Sequence, residues 1–262
     1  MLADVQTLHM VRLRFDLPAL LRRVGANAAS AAVFDLGYLV HWQLVSLFGD
    51  SAPATFAIRG EPSAKGLSAS EGRWLEVLAY AAHNAEALRA LSRTAERAAV
   101  EACDWSSFDA KPMPGTWRSG TRLGFEVRIC PIVRRSKDGP QSKDGPRWRR
   151  GAEVDAFLAA CDAAAGSPVD RMTVYRDWLT RQFARDDAAQ LAEFDPAGFR
   201  RVRLHRRTQG DARRGQSLER PELTVTGTIV VNQPEAFNRL LSRGIGRHRA
   251  FGFGMLLIRP GR

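Results

Sequence analysis

Two residues near the start of the chain could do acid–base chemistry. Tyr38 and His41 lie three positions apart in a segment whose apolar residues recur at helical spacing, so both side chains share one helix face. An imidazole titrates near neutral pH and can exchange a proton with a ribose hydroxyl or with a leaving oxygen. A phenol beside it could bond a phosphate or orient the ring. The same spacing also fits a half-buried histidine beside a core tyrosine, so a structural role stays open.

A second unusual stretch lies near the end of the chain, at residues 244–254, with the sequence GIGRHRAFGFG. Glycines such as Gly244 and Gly246 permit close approach of the backbone to a ligand, and their N–H groups can line an anion-binding concavity. Arg247, His248 and Arg249 add cationic donors. The alternative is a glycine-kinked turn that leads into an edge strand. A dinucleotide-binding motif is disfavoured because these glycines precede a strand instead of opening a helix.

Other catalytic templates fail. Residues 115–121 have the glycine spacing of a phosphate-binding loop but lack its lysine, and neither HExxH nor GxSxG occurs. The three cysteines lie far apart without a CxxC pair, which excludes a disulfide scaffold or a cysteine-rich zinc site and fits a reducing cytoplasm. The sequence therefore predicts no metal site and no cofactor.

The basic charge is concentrated in two segments. The chain has 39 Lys+Arg against 28 Asp+Glu. Residues 118–150 carry a net charge of +7 and residues 198–262 a net charge of +10, so the rest of the chain is net acidic. A bias of composition alone would spread arginine evenly, so this distribution favours a polyanion-binding surface, with nucleic acid as the first candidate. A basic protein-binding surface and solvated faces are the alternatives.

The length and hydropathy set broad limits. The 262 residues, 45% of them hydrophobic, suffice for one large domain or two small ones. No run approaches the roughly 18 apolar residues of a membrane-spanning helix. The N-terminus lacks the apolar core of a secretory signal. We therefore expect a cytoplasmic protein that does not interact with membranes.

The elements that must position these residues alternate between strands and helices. Expected strands in the first half are 10–15, 55–58 and 74–81, expected helices are 28–48 and 85–99 (capped by Asn84), and a short further strand has room within 106–120. In the second half we expect strands 122–133, 199–208, 222–231 and 255–258, and helices 153–165, 170–184 and 234–242. A basic loop or long hairpin, containing the tandem SKDGP repeat, is expected at 134–151.

This order predicts an α+β fold of two ferredoxin-like (RRM-like) domains, each an antiparallel four-stranded sheet with helices on one face. Residues 1–118 would form the N-terminal domain, which carries the Tyr38 and His41 helix. Residues 119–262 would form the C-terminal domain, which carries the basic loop 134–151 and the glycine-rich loop 244–254.

Four stretches together resemble the CasE-type CRISPR-repeat endoribonucleases, the RNA-processing subunits of type I-E Cascade complexes. They are residues 38–48, residues 111–114 with 125–134, residues 153–157 with 174–179, and residues 227–256. The chain departs from the family pattern in its SKDGP duplication and in carrying arginine where relatives often carry lysine.

The resemblance implies cleavage of the CRISPR precursor transcript at a repeat hairpin without a metal. His41 would be the general acid–base and Tyr38 its partner at the scissile phosphate. The RNA's own 2′-hydroxyl would attack the adjacent phosphorus, which gives a 2′,3′-cyclic phosphate and a 5′-hydroxyl. The cut RNA would stay bound, and the other Cascade subunits would be the protein partners.

The basic segments then become candidate RNA-binding residues. They are Arg134, Arg135, Lys137, Lys143, Arg147, Arg149 and Arg150 in the basic loop, and Gly244, Gly246, Arg247, His248 and Arg249 in the glycine-rich loop. A non-catalytic RNA-binding subunit of a ribonucleoprotein complex is the main alternative. A metal-dependent nuclease is disfavoured because the sequence has no carboxylate cluster. A DNA-binding regulator is disfavoured because the sequence has no helix-turn-helix with a basic recognition helix.

Overall fold

A computed structural model describes residues 7–23, 25, 35–59, 73–143, 145–207 and 215–261 of the chain. It contains two four-stranded antiparallel sheets, each packed against helices. Both sheets have the strand order 2-3-1-4 when each is numbered from its own first strand. The predicted α+β architecture of tandem ferredoxin-like domains is confirmed.

The first sheet is built from strands β1 to β4, and four helices accompany it. Its elements, in chain order, are β1 (His9–Asp16), α1 (Leu17–Arg23), α2 (Leu36–Phe48), β2 (Thr55–Arg59), β3 (Trp74–Ala81), α3 (Ala85–Ser92), α4 (Arg97–Glu101) and β4 (Asp109–Pro112). Strand β1 alternates buried apolar residues with arginines, so Val11, Leu13 and Phe15 face the helices. The core between sheet and helices includes Leu39, Val40, Leu44 and Leu47 of α2.

The second half of the chain forms the second sheet and its helices. Its elements, in chain order, are β5 (Arg122–Ile129), β6 (Ile132–Arg134), β7 (Gln141–Ser142), β8 (Gly145–Pro146), β9 (Glu153–Asp155), α5 (Ala156–Ala163), α6 (Arg171–Phe183), β10 (Ala189–Arg207), β11 (Gly215–Val231), α7 (Pro234–Arg243) and β12 (Leu256–Pro260). The four-stranded sheet has the spatial order β10-β11-β5-β12, and β6 pairs with β9 and β7 with β8 in two separate two-stranded sheets. Strand β5 pairs with residues 223–230 of β11. The part of the β10–β11 hairpin beyond that pairing, residues 199–207 and 215–222, is called the arm below.

The two domains contact each other through β2 and β3 of the first sheet and β5 and β12 of the second. The Tyr80 hydroxyl donates a hydrogen bond of 2.9 Å to the carbonyl oxygen of Leu256. Burial raises the pKa of Tyr80 well above its ordinary value, so this phenol stays a donor. An ion pair of 2.6 Å joins Arg59 on β2 to Glu126 on β5. In this arrangement the glycine-rich loop lies next to α2.

Several boundaries differ from the sequence prediction for local physical reasons. The strand expected at 122–133 ends at Ile129 because Pro131 has no N–H to donate, and the chain then pairs β6 with β9. Consequently Glu153–Asp155 is a strand and not the first turn of a helix, which starts only after Asp155 caps it. The helix expected at 85–99 is interrupted after Ser92, where the hydroxyls of Ser92 and Thr94 bond backbone carbonyls three residues back.

Three further differences are found: one helix that the sequence does not predict, and two cases in which the length of an element differs. The sequence analysis does not predict helix α1. Asp16 caps this helix by accepting a hydrogen bond from the Ala19 N–H. The helix expected at 28–48 is seen from Leu36, and residues 28–34 lie outside the described residues. The strands expected at 199–208 and 222–231 are parts of the longer strands β10 and β11, and residue 208 lies outside the described residues.

Candidate active site

Helix α2 carries Tyr38 and His41, and hydrogen bonds fix it at its N-terminus and on its buried side. Asp35 caps it by accepting a hydrogen bond of 3.1 Å from the Tyr38 N–H. On its buried side, the Gln43 amide donates to the carbonyl oxygen of Ala99 at 2.8 Å. Tyr38 and His41 lie at the margin of the buried stripe, and both are half-buried. The helix therefore presents both rings at the boundary between core and solvent.

The His41 imidazole is a candidate proton acceptor. Burial lowers the pKa of His41 below its ordinary value of 6.5, so the neutral ring predominates at neutral pH. Within the part of the chain that the structure describes, no hydrogen bond or ion pair holds this side chain. Among those residues no group competes for the ring nitrogens of His41, which a general base uses to take a proton.

The glycine-rich loop packs directly on the first turn of α2. A Cβ atom on Gly37 would overlap the backbone carbonyl of Phe251, so only glycine allows this approach. The Tyr38 and Phe251 ring centroids lie 5.9 Å apart, and Phe251 lies 5.9 Å from the His248 ring. A chain of three rings therefore connects the Tyr38 side of α2 to the cationic residues of the loop.

The glycines of this loop have a packing role. Gly244 is buried, has φ of 72°, and has no space for a Cβ beside Thr55. A Cβ on Gly246 would lie 2.8 Å from the Trp178 ring, and one on Gly254 would overlap the carbonyl of Ile245. The loop then continues into β12, an edge strand, as the alternative interpretation expected. Tight internal packing thus accounts for these glycines, and RNA contact at Gly244 and Gly246 stays a prediction.

A carboxylate that is absent from the predicted site residues, Glu153, holds Arg247 and His248 of the glycine-rich loop and Arg220 of the arm. Glu153 on β9 accepts from Arg247 Nε at 2.6 Å, contacts His248 Nε2 at 2.9 Å and Arg220 at 3.4 Å. Burial opposes ionisation of Glu153, but these neighbouring cations outweigh it and lower its pKa. Burial is also the main cause that lowers the pKa of His248, and Glu153 partly offsets it. The sequence signal available was only the presence of Glu153 in one of the four family-like stretches.

Arg249 is engaged differently from its neighbours. Its guanidinium donates to the backbone carbonyl of Arg243 at the end of α7, and its side chain is half-buried. This bond closes the C-terminus of that helix. Arg247 is more exposed, with 53% of its side-chain surface accessible, so it is the loop arginine best placed to meet a ligand.

The arm adds a third element around Tyr38. Val202 and Leu204 lie on one face of β10 and pack in the apolar cluster that includes Phe251 and Tyr38. Arg201 and Arg203 occupy the opposite face and are exposed. These arginines are absent from the predicted site residues, and their alternation with Val202 and Leu204 is the sequence signal that identifies them.

The basic loop 134–151 forms a long hairpin, as expected. Strands β6 and β9 form its base, and β7 pairs with β8 near its tip. Its predicted RNA-binding side chains are exposed except for Arg135, which is half-buried. Arg147 and Trp148 both bond Asp162 on α5, which fixes the hairpin to the second domain. At the base of this hairpin, Glu153 on β9 bonds Arg247, and Ile132 on β6 packs with Phe251 and Phe253, so the base of the hairpin contacts the glycine-rich loop.

The remaining reactive groups lie elsewhere. Cys103 and Cys130 are buried, and burial raises the pKa of each thiol to about 12. The described residues include no group of three or more His, Cys, Asp or Glu side chains arranged to hold a metal ion. In the same parts of the chain, every helix is too short or too polar to cross a membrane.

The chain is similar to known proteins both in sequence and in structure. A family model described as CRISPR associated protein matches residues 8–260. The structure is similar to Thermus thermophilus Cse3 bound to an RNA representing a pre-cleavage complex, with a TM-score of 0.56 and 18% identity over 97% of this chain and 100% of that one. It is also similar to Escherichia coli K-12 Cas6e, with a TM-score of 0.54 and 16% identity over 96% and 99% of the two chains. No curated protein sequence gives a significant match.

Proposed function

This chain belongs to the family of CRISPR-associated proteins, and on that premise we propose that it is a CasE-type endoribonuclease that cuts CRISPR precursor RNA at repeat hairpins. The fold it shares with Cse3 and Cas6e supports the proposal, because Cse3 has been captured on RNA in a pre-cleavage state. The observation that carries it is the packing of α2, the helix that bears Tyr38 and His41, against the arginine-containing glycine-rich loop through Gly37, Tyr38 and Phe251.

The chemistry needs only groups that this chain supplies. Neutral His41 takes the proton from a ribose 2′-hydroxyl, and the resulting oxygen attacks the adjacent phosphorus. The bond from phosphorus to the 5′-oxygen then breaks, and the protonated His41 gives its proton to that leaving oxygen. The products are a 2′,3′-cyclic phosphate and a 5′-hydroxyl. Tyr38, on the same helix face, orients the ring or bonds the phosphate.

Arg247 of the second domain stabilises the negative charge that develops on the phosphorane. It shares the Glu153 carboxylate with His248, whose ring lies 5.9 Å from Phe251, the ring that packs beside Tyr38. Glu153 positions both, so it acts on the reaction through them and not by touching RNA.

Affinity for the hairpin comes from the exposed basic surfaces. The long hairpin contributes the cations of residues 134–150, and the arm contributes Arg201 and Arg203. Contacts to phosphates make binding strongly salt-dependent. The cut RNA stays bound, and the protein joins other Cascade subunits in the cytoplasm. Similarity of the fold to a chain of a CRISPR RNA-guided surveillance complex, with a TM-score of 0.52 and 14% identity over 95% of this chain and 98% of that one, supports this assembly.

Replacing one histidine tests the assignment. His41→Ala is expected to lower the cleavage rate of a repeat hairpin at least 100-fold, in the range that general acid–base catalysis contributes. Binding of the same RNA should stay within a few fold of wild type. His83→Ala, in the turn before α3, is the matched control and should cleave normally. Equal cleavage by wild type and His41→Ala in EDTA would favour a non-catalytic RNA-binding subunit whose preparation carries another nuclease.

A further inference from the structure

Three side chains form a layered stack on the helix side of the second sheet. The Arg171 guanidinium lies 3.8 Å from the Phe157 ring centroid and 4.9 Å from that of Phe199. Arg171 is held in this position by an ion pair of 3.2 Å with Asp155 and by a hydrogen bond of 2.9 Å to the Tyr175 hydroxyl. The same hydroxyl donates to Asp155 at 2.9 Å. The middle layer is therefore fixed, and the stack is preorganised.

The outer layer of the stack faces solvent. Phe199 is 39% exposed and is one of two large apolar side chains that are exposed within the described parts of the chain. It opens the arm, directly after a register shift between Pro196 and Gly198. This leaves apolar ring surface open to an occupant that stacks on it.

Charge on the same face indicates what that occupant is. Arg201 and Arg203 follow Phe199 at alternate positions of β10, so all three side chains point to one side, with successive residues about 6.8 Å apart. Arg201 is paired at 2.9 Å with Glu219, but both side chains remain largely exposed. Arg203 has no partner among the described residues. An aromatic surface followed by two guanidinium groups is the combination that binds single-stranded nucleic acid by base stacking and phosphate contacts.

We infer that the Phe157–Arg171–Phe199 stack receives an unpaired nucleobase of the bound RNA, as a fourth layer on Phe199. Arg201 and Arg203 then bind the phosphates that follow that base. The occupant is an unpaired nucleotide next to the stem, because the faces of a base inside a helical stem are already covered by its neighbours. This inference rests on the RNA-binding part of the proposed function and is independent of the cleavage chemistry.

The stack is tested by comparing RNAs with and without unpaired nucleotides. The probes are a repeat hairpin alone and the same hairpin with six unpaired nucleotides on its 5′ or 3′ side, and binding is measured by fluorescence anisotropy at one salt concentration. Wild type should prefer one extended RNA. Base stacking is worth about 1–3 kcal/mol per base, so Phe199→Leu should weaken binding of that RNA about fivefold or more. Phe199→Leu should bind the bare hairpin as tightly as wild type does. Phe199→Tyr, which keeps an aromatic ring, should retain the wild-type preference for the extended RNA.

Controls separate the possible failures. Leucine keeps an apolar side chain at a half-exposed position, so an unchanged melting temperature shows that the fold is intact. A 2-aminopurine placed at each unpaired position in turn should be quenched at one position by wild type and not by Phe199→Leu. The inference is overturned if wild type shows no preference for either extension, or if Phe199→Leu keeps the preference, which would leave a protein partner as the occupant. If wild type binds RNA but does not cut it, the cleavage proposal fails while this test still decides the stack.

Discussion

The substitution Glu153→Gln tests how the loop cations are positioned. In the structure Glu153 holds Arg247 at 2.6 Å, His248 at 2.9 Å and Arg220 at 3.4 Å. Glutamine keeps the size of the side chain and an acceptor oxygen, but it removes the negative charge and one acceptor. Hydrogen bonds to charged groups contribute about 1.5–3 kcal/mol each, and the 18% exposure of the Glu153 side chain reduces that figure through solvent screening.

Two effects of opposite sign follow from this loss. The loop cations lose their fixed positions, so we expect the cleavage rate constant at saturating RNA to fall about 10-fold to 100-fold. At the same time the surface gains one net positive charge, so RNA affinity should be unchanged or higher, and it should fall more steeply with salt. A positioning role therefore predicts a change in kcat without a loss of affinity, which general destabilisation would not give.

Single-turnover cleavage and salt-dependent binding measured on one preparation provide the assay. Glu219→Gln is the matched control, since Glu219 pairs with Arg201 on the exposed face of the arm. Melting temperatures of both variants show whether the fold is retained. Weaker RNA binding with an unchanged rate constant for Glu153→Gln would refute the positioning argument.

The remaining predictions concern pH, salt and packing. Because burial lowers the pKa of His41, and the neutral ring is the base, the acid limb of kcat/KM should have its midpoint below pH 6.5, and activity should fall as pH decreases through it; a midpoint above pH 7 would contradict this assignment. Neutralising Lys137 and Arg149 together should reduce the slope of log K against log salt by roughly 1.5, with little effect on the rate at saturating RNA, and an unchanged slope would remove the long hairpin from the interface. Gly37→Ala should destabilise the protein by about 1–3 kcal/mol and lower the cleavage rate, because the added Cβ overlaps the glycine-rich loop. Gly115→Ala is the control: open space surrounds its added Cβ, so thermal unfolding and activity should be unchanged.

Most strands and the longer helices were predictable because their signals are local. Strand β1 alternates apolar and basic residues, and α7 begins with a proline at its first position. The breaks were less predictable, since they depend on partners that are distant in sequence. Glu153–Asp155 reads as helical in isolation and becomes a strand only because β6 lies beside it.

The candidate site was only partly predictable for the same reason. Tyr38 and His41 could be selected from their spacing, and the loop cations from their unusual sequence. The contact between them depends on Gly37 meeting Phe251, more than 200 positions later, and no local pattern shows it. Beyond the presence of Glu153 in one family-like stretch, a single acid and a single aromatic residue carry no signal until the fold brings Arg247 to Glu153 and Arg171 to Phe199.

The most direct measurement of the central claim uses a repeat hairpin with one 2′-deoxy nucleotide on the 5′ side of the scissile phosphate. If the RNA supplies its own nucleophile and His41 moves the proton, the protein should bind this RNA as tightly as the all-ribose hairpin and leave it uncut. On the all-ribose hairpin it should produce a 2′,3′-cyclic phosphate. Cleavage of the 2′-deoxy RNA at the same position would contradict the account.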